Sequence, residues 1–522
     1  MHIVPEKKAI VVKVRDPGRI TTVIPRAKTF TVNGNTLVGI PHRIEEVRVL
    51  RNLGIHAPSP ILNYYNWPRD KGLEPFDAQY KTAAFLTLFN RAFCLNSLGT
   101  GKTLAALWAF DYLRTAGLAK AALAIGPLST LDPTWAETIE THLPHLRTVV
   151  LYGPRAKRAK LLQQPADVYI INHDGVAVIL DDLSKRRDIT HVIVDEVAQV
   201  ARNQKTERWR VLNTLINSKD TMRAAWGLTG TPTPNAPTDA YAQAKLITPE
   251  TAPPYFSRFR DQVMYQAGMY AWLPRADANE RVFNLLQPAI RFTREECIDL
   301  PETTYVTRHV PLTNEQQRAY VKMRDLFVAE AAQGQILAVN EGVKVSKLVQ
   351  ICSGAAYATD GSIATLDVRP RVAETVELIR EAPGKALVFV PFISALQNVA
   401  QALRDEGFDV AMVYGDVSKR DRDMAFGGFQ HQSNPQVLVC QPAAMSHGLT
   451  LTRASTIIWF APVASAETYE QANGRITRPG QKHNTLIVHI EGSEIERRIY
   501  KRLQHKQKMQ GVLLDMIQAN RE

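Results

Sequence analysis

The chain has 522 residues, of which 45% are hydrophobic and 22% charged, and its formal net charge is +12. No apolar run reaches the length of a membrane span, and the start of the chain lacks the hydrophobic core of a secretory signal. The four cysteines are too widely spaced for a disulfide framework or a cysteine metal site. The sequence therefore predicts a soluble, cytoplasmic globular protein that makes no contact with membranes.

The first predicted element is a basic α+β module over residues 1–70. This stretch holds 11 Lys and Arg against 5 Asp and Glu, which is half of the chain's excess positive charge. Short β-prone segments are followed by apolar residues at helical spacing from Ile44 to Leu53. We interpret the module as an accessory DNA-binding domain, with a solubilising surface as the alternative. Three aromatic residues in its exit loop are predicted to dock it onto the next domain: Tyr64, Tyr65 and Trp67.

Residues 96–103 read Asn-Ser-Leu-Gly-Thr-Gly-Lys-Thr and lie between an apolar strand and a helical run. Such a turn forms a phosphate-binding loop, because its backbone N–H groups and the helix N-terminus surround a polyphosphate. We predict that Lys102 contacts the β- and γ-phosphates of ATP and that Thr103 binds Mg²⁺. The first loop position, usually Gly or Ala, is Asn96. The loop residues expected around the phosphates are Gly99, Thr100 and Gly101.

Two further stretches complete the predicted nucleotide site. Gln79, which precedes the loop, is predicted to pair its amide with both hydrogen-bonding edges of adenine. A β-branched strand ends at Asp195 and Glu196. There Asp195 is predicted to hold Mg²⁺ through its water shell, and Glu196 to orient and deprotonate the attacking water. His173 is interpreted as a loop residue near nucleic acid or a satisfied polar group, with a ligand or base as the less favoured reading.

The order of these motifs resembles that of superfamily 2 helicases. Their amino-acid sequences resemble the corresponding motifs of the Swi/Snf-type DNA translocases. The resemblance covers roughly residues 75–510, and the chain departs from it at Val197-Ala198, where the family has Ala-His. In the first half of this region, the residues that carry the resemblance are Gln79, Gly101-Lys102-Thr103, Gly126-Pro127-Leu128-Ser129, Asp195-Glu196 and Leu228-Thr229-Gly230-Thr231-Pro232.

A second α/β pattern begins near residue 370 and ends in a motif that strongly resembles the family's Gln-x-x-Gly-Arg-x-x-Arg-x-Gly-Gln. Here it begins at Gln471. Arg475 and Arg478 lie three apart, which predicts one helical face. The resemblance implies that these three residues act in catalysis, with the arginines offsetting transition-state charge. A preceding loop that includes Gly448 matches the family's loop that touches DNA and ATP.

The resemblance implies an α/β fold with two RecA-like parallel-sheet lobes, a small N-terminal α+β module and helical insertions between the lobes. The predicted function is that of an ATP- and Mg²⁺-dependent translocase on double-stranded or branched DNA, acting as a monomer in a bacterial cell or a phage-infected host. The alternatives are a strand-separating DNA helicase and a DNA-binding scaffold with a silent ATPase. The predicted domains are 1–70 for the module, 71–247 for lobe 1, 248–368 for a helical insertion and linker, 369–490 for lobe 2 and 491–522 for a C-terminal brace helix.

Overall fold

The computed structural model describes ten stretches of the chain, namely residues 1–68, 74–218, 223–234, 236–267, 272–297, 301–332, 338–357, 363–445, 450–478 and 480–503. These residues form two compact units, the first up to residue 297 and the second from residue 301. Gly448 and the last part of the predicted brace helix, residues 504–522, lie outside the described residues. Within the described stretches, no helix has the length and apolar character needed to cross a membrane.

The first unit begins with the predicted α+β module. Its antiparallel sheet has the strand order β1-β2-β4-β3. Apolar residues alternate along β2 and β4, so one face of the sheet buries Ile10, Val12, Val38 and Ile40 against the helix α2. The elements are β1 (His2–Val4), β2 (Ala9–Lys13), β3 (Lys28–Val32) and β4 (Asn35–Pro41), with helices α1 (Gly18–Thr21), α2 (Ile44–Asn52) and α3 (Ile61–Tyr64).

The exit loop of the module packs on the lobe that follows, as predicted for two of its three aromatic residues. The hydroxyl of Tyr65 donates to Oδ2 of Asp111 at 2.8 Å, and the ring of Trp67 meets that of Trp108 edge-on at 5.5 Å. Tyr64 bonds to His42 inside the module, and its own docking onto the lobe stays a prediction. Since Trp67 belongs to the hydrophobic core of the lobe, removing the module would uncover that core.

The rest of the first unit is a seven-stranded parallel sheet with the order β13-β5-β10-β9-β6-β8-β7. Its strands read as continuous apolar runs because helices cover both faces. They are β5 (Arg91–Cys94), β6 (Ala121–Gly126), β7 (Thr148–Val150), β8 (Val168–Asn172), β9 (Ile189–Asp195), β10 (Ala224–Leu228) and β13 (Ala289–Ile290), with a hairpin of β11 (Met264–Gln266) and β12 (Trp272–Pro274).

The helices of this lobe are α4 (Asp77–Leu88), α5 (Lys102–Thr115), α6 (Glu137–His142), α7 (Arg155–Leu162), α8 (His173–Val178), α9 (Leu180–Lys185), α10 (Val197–Val200), α11 (Glu207–Asn217), α12 (Asp239–Ile247), α13 (Phe256–Val263), α14 (Ala278–Leu285) and α15 (Arg294–Cys297). The lobe continues past residue 247, where the sequence analysis ended it. Phe259 of α13 and Val282 of α14 are buried in the same hydrophobic cluster as β6 and β9. The following strand β13 pairs with β5.

The second unit contains a six-stranded parallel sheet with the order β14-β21-β20-β17-β19-β18. Two parallel sheets, each layered with helices, confirm the predicted two-lobe α/β fold. The strands are β14 (Thr303–His309), β17 (Lys385–Phe389), β18 (Val410–Val413), β19 (Val437–Cys440), β20 (Ala454–Trp459) and β21 (Thr485–Glu491), with a small hairpin of β15 (Ala355–Tyr357) and β16 (Ile363–Thr365). The helices are α16 (Asn314–Ala332), α17 (Ala338–Cys352), α18 (Arg369–Glu381), α19 (Ile393–Asp405), α20 (Lys419–His431) and α21 (Ala466–Asn473).

The edges of this lobe differ from the sequence boundaries. β14 lies in the stretch interpreted as a helical insertion, yet all seven of its residues pair with β21. At the other end, a helix over residues 494–503 packs on the same lobe, where Tyr500 and Leu503 are buried. Glu496 of that helix forms a fully buried ion pair with Arg371 at 2.7 Å. The described part of the predicted brace therefore holds the second unit.

Two buried histidines and one half-buried histidine predict a loss of stability in mild acid. Burial lowers the pKa of His173, His191 and His489 to about 4, from 6.5. Between pH 6.5 and 4 the unfolded chain therefore binds protons that the native chain does not, so the free energy of unfolding falls as the pH falls. We expect the melting temperature to decrease across this window. We expect His489→Gln to reduce the slope, and substitution of the exposed His2 to leave it unchanged. A flat wild-type profile would contradict the prediction.

Candidate functional site

The predicted phosphate loop follows β5 and leads into α5, as the sequence analysis expected. Gly99 and Gly101 have left-handed backbone angles, with φ of 82° and 74°. Glycine adopts such angles without strain, and in phosphate-binding loops they allow successive N–H groups to turn toward the anion. Lys102 is the first residue of α5, and its Nζ donates to the carbonyls of Asn96 and Ser97 at 3.0 and 3.3 Å. The ammonium group thus lies inside the loop.

Gln79 lies directly against this loop. Its side-chain oxygen accepts from the backbone N–H of Phe76 at 2.9 Å. Its amide nitrogen fills the space beside Gly101, where an added methyl group would overlap it. Gln79 therefore lies against the predicted phosphate loop, and its contact with adenine stays a prediction.

The unusual first loop residue, Asn96, has a structural explanation. Its side-chain nitrogen donates to Oγ1 of Thr82 on α4 at 2.8 Å, and its side-chain oxygen accepts from the N–H of Phe292 at 2.9 Å. Asn96 is 1% exposed, and neither Gly nor Ala has groups that make these two bonds. Asn96 therefore ties the loop to α4 and to the chain after β13.

The two predicted carboxylates lie at the end of β9. Asp195 accepts from Nε1 of Trp135 at 3.2 Å and from the N–H of Glu196 at 3.1 Å. Burial raises the pKa of Asp195, and the nearby Lys102 ammonium opposes this change. Glu196 takes a left-handed backbone angle, φ 48°, and the chain turns there into α10. Val197 and Ala198, which replace the family's Ala-His, are both buried.

His173 is a satisfied polar group, which is one of the interpretations made for it. Its Nε2 bonds to the carbonyl of Asp195 at 3.0 Å. Because burial lowers its pKa to about 4, His173 is neutral at physiological pH and donates from Nε2. It therefore fixes the backbone at the end of β9.

The Thr-Gly-Thr stretch after β10 borders the phosphate loop. The N–H of Thr229 donates to the carbonyl of Cys94 at 3.0 Å, and Oγ1 of Thr229 accepts from the N–H of Thr231 at 3.2 Å. A Cβ at Gly230 would lie 3.4 Å from the Asn96 carbonyl and 3.5 Å from the Leu98 nitrogen. The loop, the carboxylates and this stretch thus share the carboxyl edge of one parallel sheet, where α/β proteins bind ligands.

These residues fit a Mg²⁺–nucleotide. The loop offers inward N–H groups and an ammonium group, while Thr103 and Asp195 offer the oxygen donors that Mg²⁺ prefers. Among the described residues, no three His, Cys, Asp or Glu side chains gather to hold a metal.

Sequence reasoning missed two arginines at this site, Arg291 and Arg294. Nη1 of Arg291 donates to Oγ of Ser97 at 2.8 Å, and Nε of Arg294 donates to the Leu98 carbonyl at 3.1 Å. Both lie nearly two hundred residues after the loop, outside any motif used to find it. Only the pairing of β13 with β5 brings them there.

In the second unit, the motif after β20 differs from expectation in one respect. The helix α21 ends at Asn473, so the prediction that Arg475 and Arg478 share a helical face was wrong. Gly474 closes the helix, and the Arg475 carbonyl accepts from the N–H of Leu451 instead of continuing it.

The side chains of this motif are held within the second unit. Nη2 of Arg475, which is fully buried, donates to the Met445 carbonyl at 3.4 Å. Arg478 donates to the Gly474 carbonyl at 3.0 Å and to Oγ1 of Thr450 at 3.3 Å. Gln471 donates to Glu467 at 3.4 Å.

Comparison with known proteins finds two family models that match this chain. The SNF2-related domain model matches residues 94–354, and the helicase conserved C-terminal domain model matches residues 370–480. Together they cover the loop, the carboxylates and the arginine motif.

Similar proteins come from a phage and from bacteria. Protein p41 of Acyrthosiphon pisum secondary endosymbiont phage 1 is 25% identical over 80% of this chain and 93% of its own length. The ATP-dependent helicase/translocase YwqA of Bacillus subtilis is 24% identical over 89% of this chain, which spans 50% of the longer protein. An ATP-dependent helicase of Mycoplasma pneumoniae is 24% identical over 79% of this chain and 39% of its own length.

A solved structure, the Sulfolobus solfataricus SWI2/SNF2 ATPase core in complex with dsDNA, is 22% identical to this chain. It covers 85% of this chain and 93% of its own, with a TM-score of 0.41. The family assignment rests on the two domain models, which together span both lobes. The chain therefore belongs to the SNF2-related family of ATP-dependent helicases and translocases, which by class are DNA-dependent ATPases.

Proposed function

We propose that this chain is a translocase that couples ATP hydrolysis to movement along double-stranded or branched DNA and so remodels forks or branches. The observation that supports it most is the gathering of the Lys102 loop, Asp195, Glu196 and Thr229 at one edge of the first sheet. This edge joins phosphate binding to a pair of carboxylates, which is the combination that phosphoryl transfer to water needs.

Each residue of the site has a proposed part in this reaction. Gln79 reads the adenine, and Gly99, Thr100 and Gly101 present backbone N–H groups to the phosphates. Lys102 binds the β- and γ-phosphates, while Thr103 and Asp195 would hold Mg²⁺, which would offset the negative charge of the transferring phosphoryl group. Glu196 takes the proton of the attacking water. Gln471, Arg475 and Arg478 take part in turnover from the second lobe, and the loop with Gly448 touches DNA and ATP.

The charge of the chain supports DNA as the partner. Half of the net charge of +12 belongs to residues 1–70. In the described part of this module Lys13, Arg26 and Lys28 are exposed, on or beside the sheet that α2 covers from its other face. Exposed cations on one small module favour contact with a phosphate backbone. We therefore include the module in the proposed DNA-binding surface of a monomeric motor.

The test compares ATP hydrolysis by the full chain with duplex, forked, four-way and single-stranded DNA, and with RNA as the control. We expect duplex and branched DNA to stimulate hydrolysis more than single-stranded DNA or RNA. We also expect the chain to displace a third strand from a DNA triplex without separating a labelled duplex. Absence of stimulation by every DNA would overturn the proposal.

The same panel distinguishes the alternatives. Release of a labelled strand from a forked duplex would show a strand-separating helicase. Tight DNA binding with no ATP turnover under any condition would show a scaffold with a silent ATPase. The intact Lys102, Asp195 and Glu196 favour an active enzyme over that scaffold.

A further inference from the structure

The chain after β13 lies along the phosphate loop for the loop's first three residues. The N–H of Leu95 donates to the Ile290 carbonyl at 2.8 Å, and the N–H of Ser97 donates to the Phe292 carbonyl at 3.0 Å. The pairing that begins as β13 against β5 therefore continues beside the loop itself. We call residues 290–294 the loop-flanking segment.

Side chains tighten this contact at three successive loop residues. Asn96 accepts from the N–H of Phe292, Ser97 accepts from Arg291, and the carbonyl of Leu98 accepts from Arg294. Hydrogen bonds from charged donors are about twice as strong as neutral ones. Two of the three contacts are of this kind, so the conformation of the loop depends on the segment beside it.

Arg291 is the central residue of the segment. It is 5% exposed and donates from Nη1 both to Ser97 and to the Phe292 carbonyl. Its charge also acts at the end of β5, because Lys102 and Arg291 both oppose the rise that burial imposes on the pKa of Cys94. Two cationic side chains thus lie near the start of the loop, where positive potential favours a polyphosphate.

We propose that Arg291 is a positioning residue for the nucleotide, which holds Ser97 and the start of the phosphate loop in the geometry that receives the phosphates of ATP. Arg294, the first residue of α15, binds the next loop residue by donating to the Leu98 carbonyl. Among the described residues, α15 is the last helix of the first unit. The proposal rests on the proposed function, because it requires that the loop binds ATP.

The test measures ATP binding and turnover of the full chain with Arg291→Ala. We expect the dissociation constant of a fluorescent ATP analogue and the KM for ATP to rise about tenfold to hundredfold, the effect of losing a hydrogen bond from a charged donor. The kcat at saturating ATP falls less than KM rises. Arg291→Lys restores part of the affinity, because it returns the charge without the planar fork.

Ser97→Ala tests the same contact with a smaller change. It removes only one hydroxyl group. ATP binding can therefore still be measured in this variant if Arg291→Ala fails to fold. We expect it to raise KM in the same direction as Arg291→Ala. Because the two residues act through one contact, the double variant binds ATP no more weakly than Arg291→Ala alone.

Arg223 provides the matched control. It is also a buried arginine of the first unit, 4% exposed, and donates to the carbonyls of Ile189, Leu183 and Arg186. It lies at the amino end of β10, away from the loop. We expect Arg223→Ala to lower the melting temperature and leave the KM for ATP unchanged.

The outcomes separate the two levels of the proposal. Wild-type chain that binds no ATP analogue would refute the proposed function. Wild-type chain that binds ATP, with Arg291→Ala and Ser97→Ala binding it equally well, would refute the positioning role of Arg291 alone. A lowered melting temperature with an unchanged KM in Arg291→Ala would likewise assign this arginine to the fold.

Discussion

Glu196→Gln is expected to retain ATP binding and to lower kcat by about 10²–10⁴-fold, the range that a positioned general base contributes. Glutamine has the size of glutamate but has no carboxylate to take the proton of the attacking water. The substitution changes little else, because residue 196 is 6% exposed and its left-handed backbone angle, φ 48°, strains both side chains alike. The measurements are DNA-stimulated steady-state hydrolysis and titration with a fluorescent ATP analogue.

Glu207→Gln is the control for this variant. Glu207 is an exposed carboxylate of the same lobe, in the first turn of α11. We expect it to hydrolyse ATP as the wild type does. Wild-type turnover in Glu196→Gln would exclude Glu196 as the base. Loss of ATP binding in that variant would instead assign it to the architecture of the site.

The parts of the site that were predictable from sequence are local in the chain. Strand, glycine turn and helix N-terminus are consecutive around Lys102, so one stretch of sequence contains the whole loop. The strand β9 was predictable for the same reason, because its apolar run is followed directly in the sequence by the carboxylates of Asp195 and Glu196. Since parallel strands end at one edge of a sheet, the two stretches were expected to meet, and they do.

The parts that were missed depend on contacts between distant residues or on very short elements. β13 has two residues, too few to show any periodicity, and it extends the first lobe beyond the predicted boundary. The bond from Phe292 to Asn96 joins residues 196 positions apart. β14 was missed for another reason, since its β-prone run Thr303-Thr304-Tyr305-Val306 was visible but was included in a stretch interpreted as helical.

The helix boundary before Arg475 shows that the residue spacing of a motif does not fix its backbone geometry. The spacing of Arg475 and Arg478 fits one helical face, but Gly474 lies between α21 and both arginines and ends the helix. The Arg475 carbonyl then bonds to Leu451, a residue whose position only the folded sheet determines. The spacing of residues in a motif therefore does not by itself determine the local backbone.

Gly101→Ala is expected to weaken ATP binding by about 10²-fold. A left-handed residue with a Cβ costs about 1–2 kcal/mol, and forcing a methyl group into filled space costs about 1–3 kcal/mol, while each 1.4 kcal/mol is tenfold in affinity. At Gly101 φ is 74°, and the added methyl group would overlap the amide nitrogen of Gln79. The loop can relieve both costs only by leaving the conformation that presents its N–H groups inward. Isothermal titration of the full chain with ATP measures the loss.

Gly117→Ala separates the overlap from the backbone strain. Gly117 follows the C-cap of the same helix, α5, with φ of 75°, and a methyl group there meets nothing within 4 Å. Both variants carry the same left-handed strain, but only Gly101→Ala adds the overlap with Gln79, so we expect Gly101→Ala to lower the melting temperature more. Only Gly101→Ala loses ATP affinity, because of the two glycines only Gly101 lies in the predicted phosphate loop, beside Gln79. Equal ATP affinity in the two variants would mean that the contact between Gln79 and Gly101 plays no part in nucleotide binding.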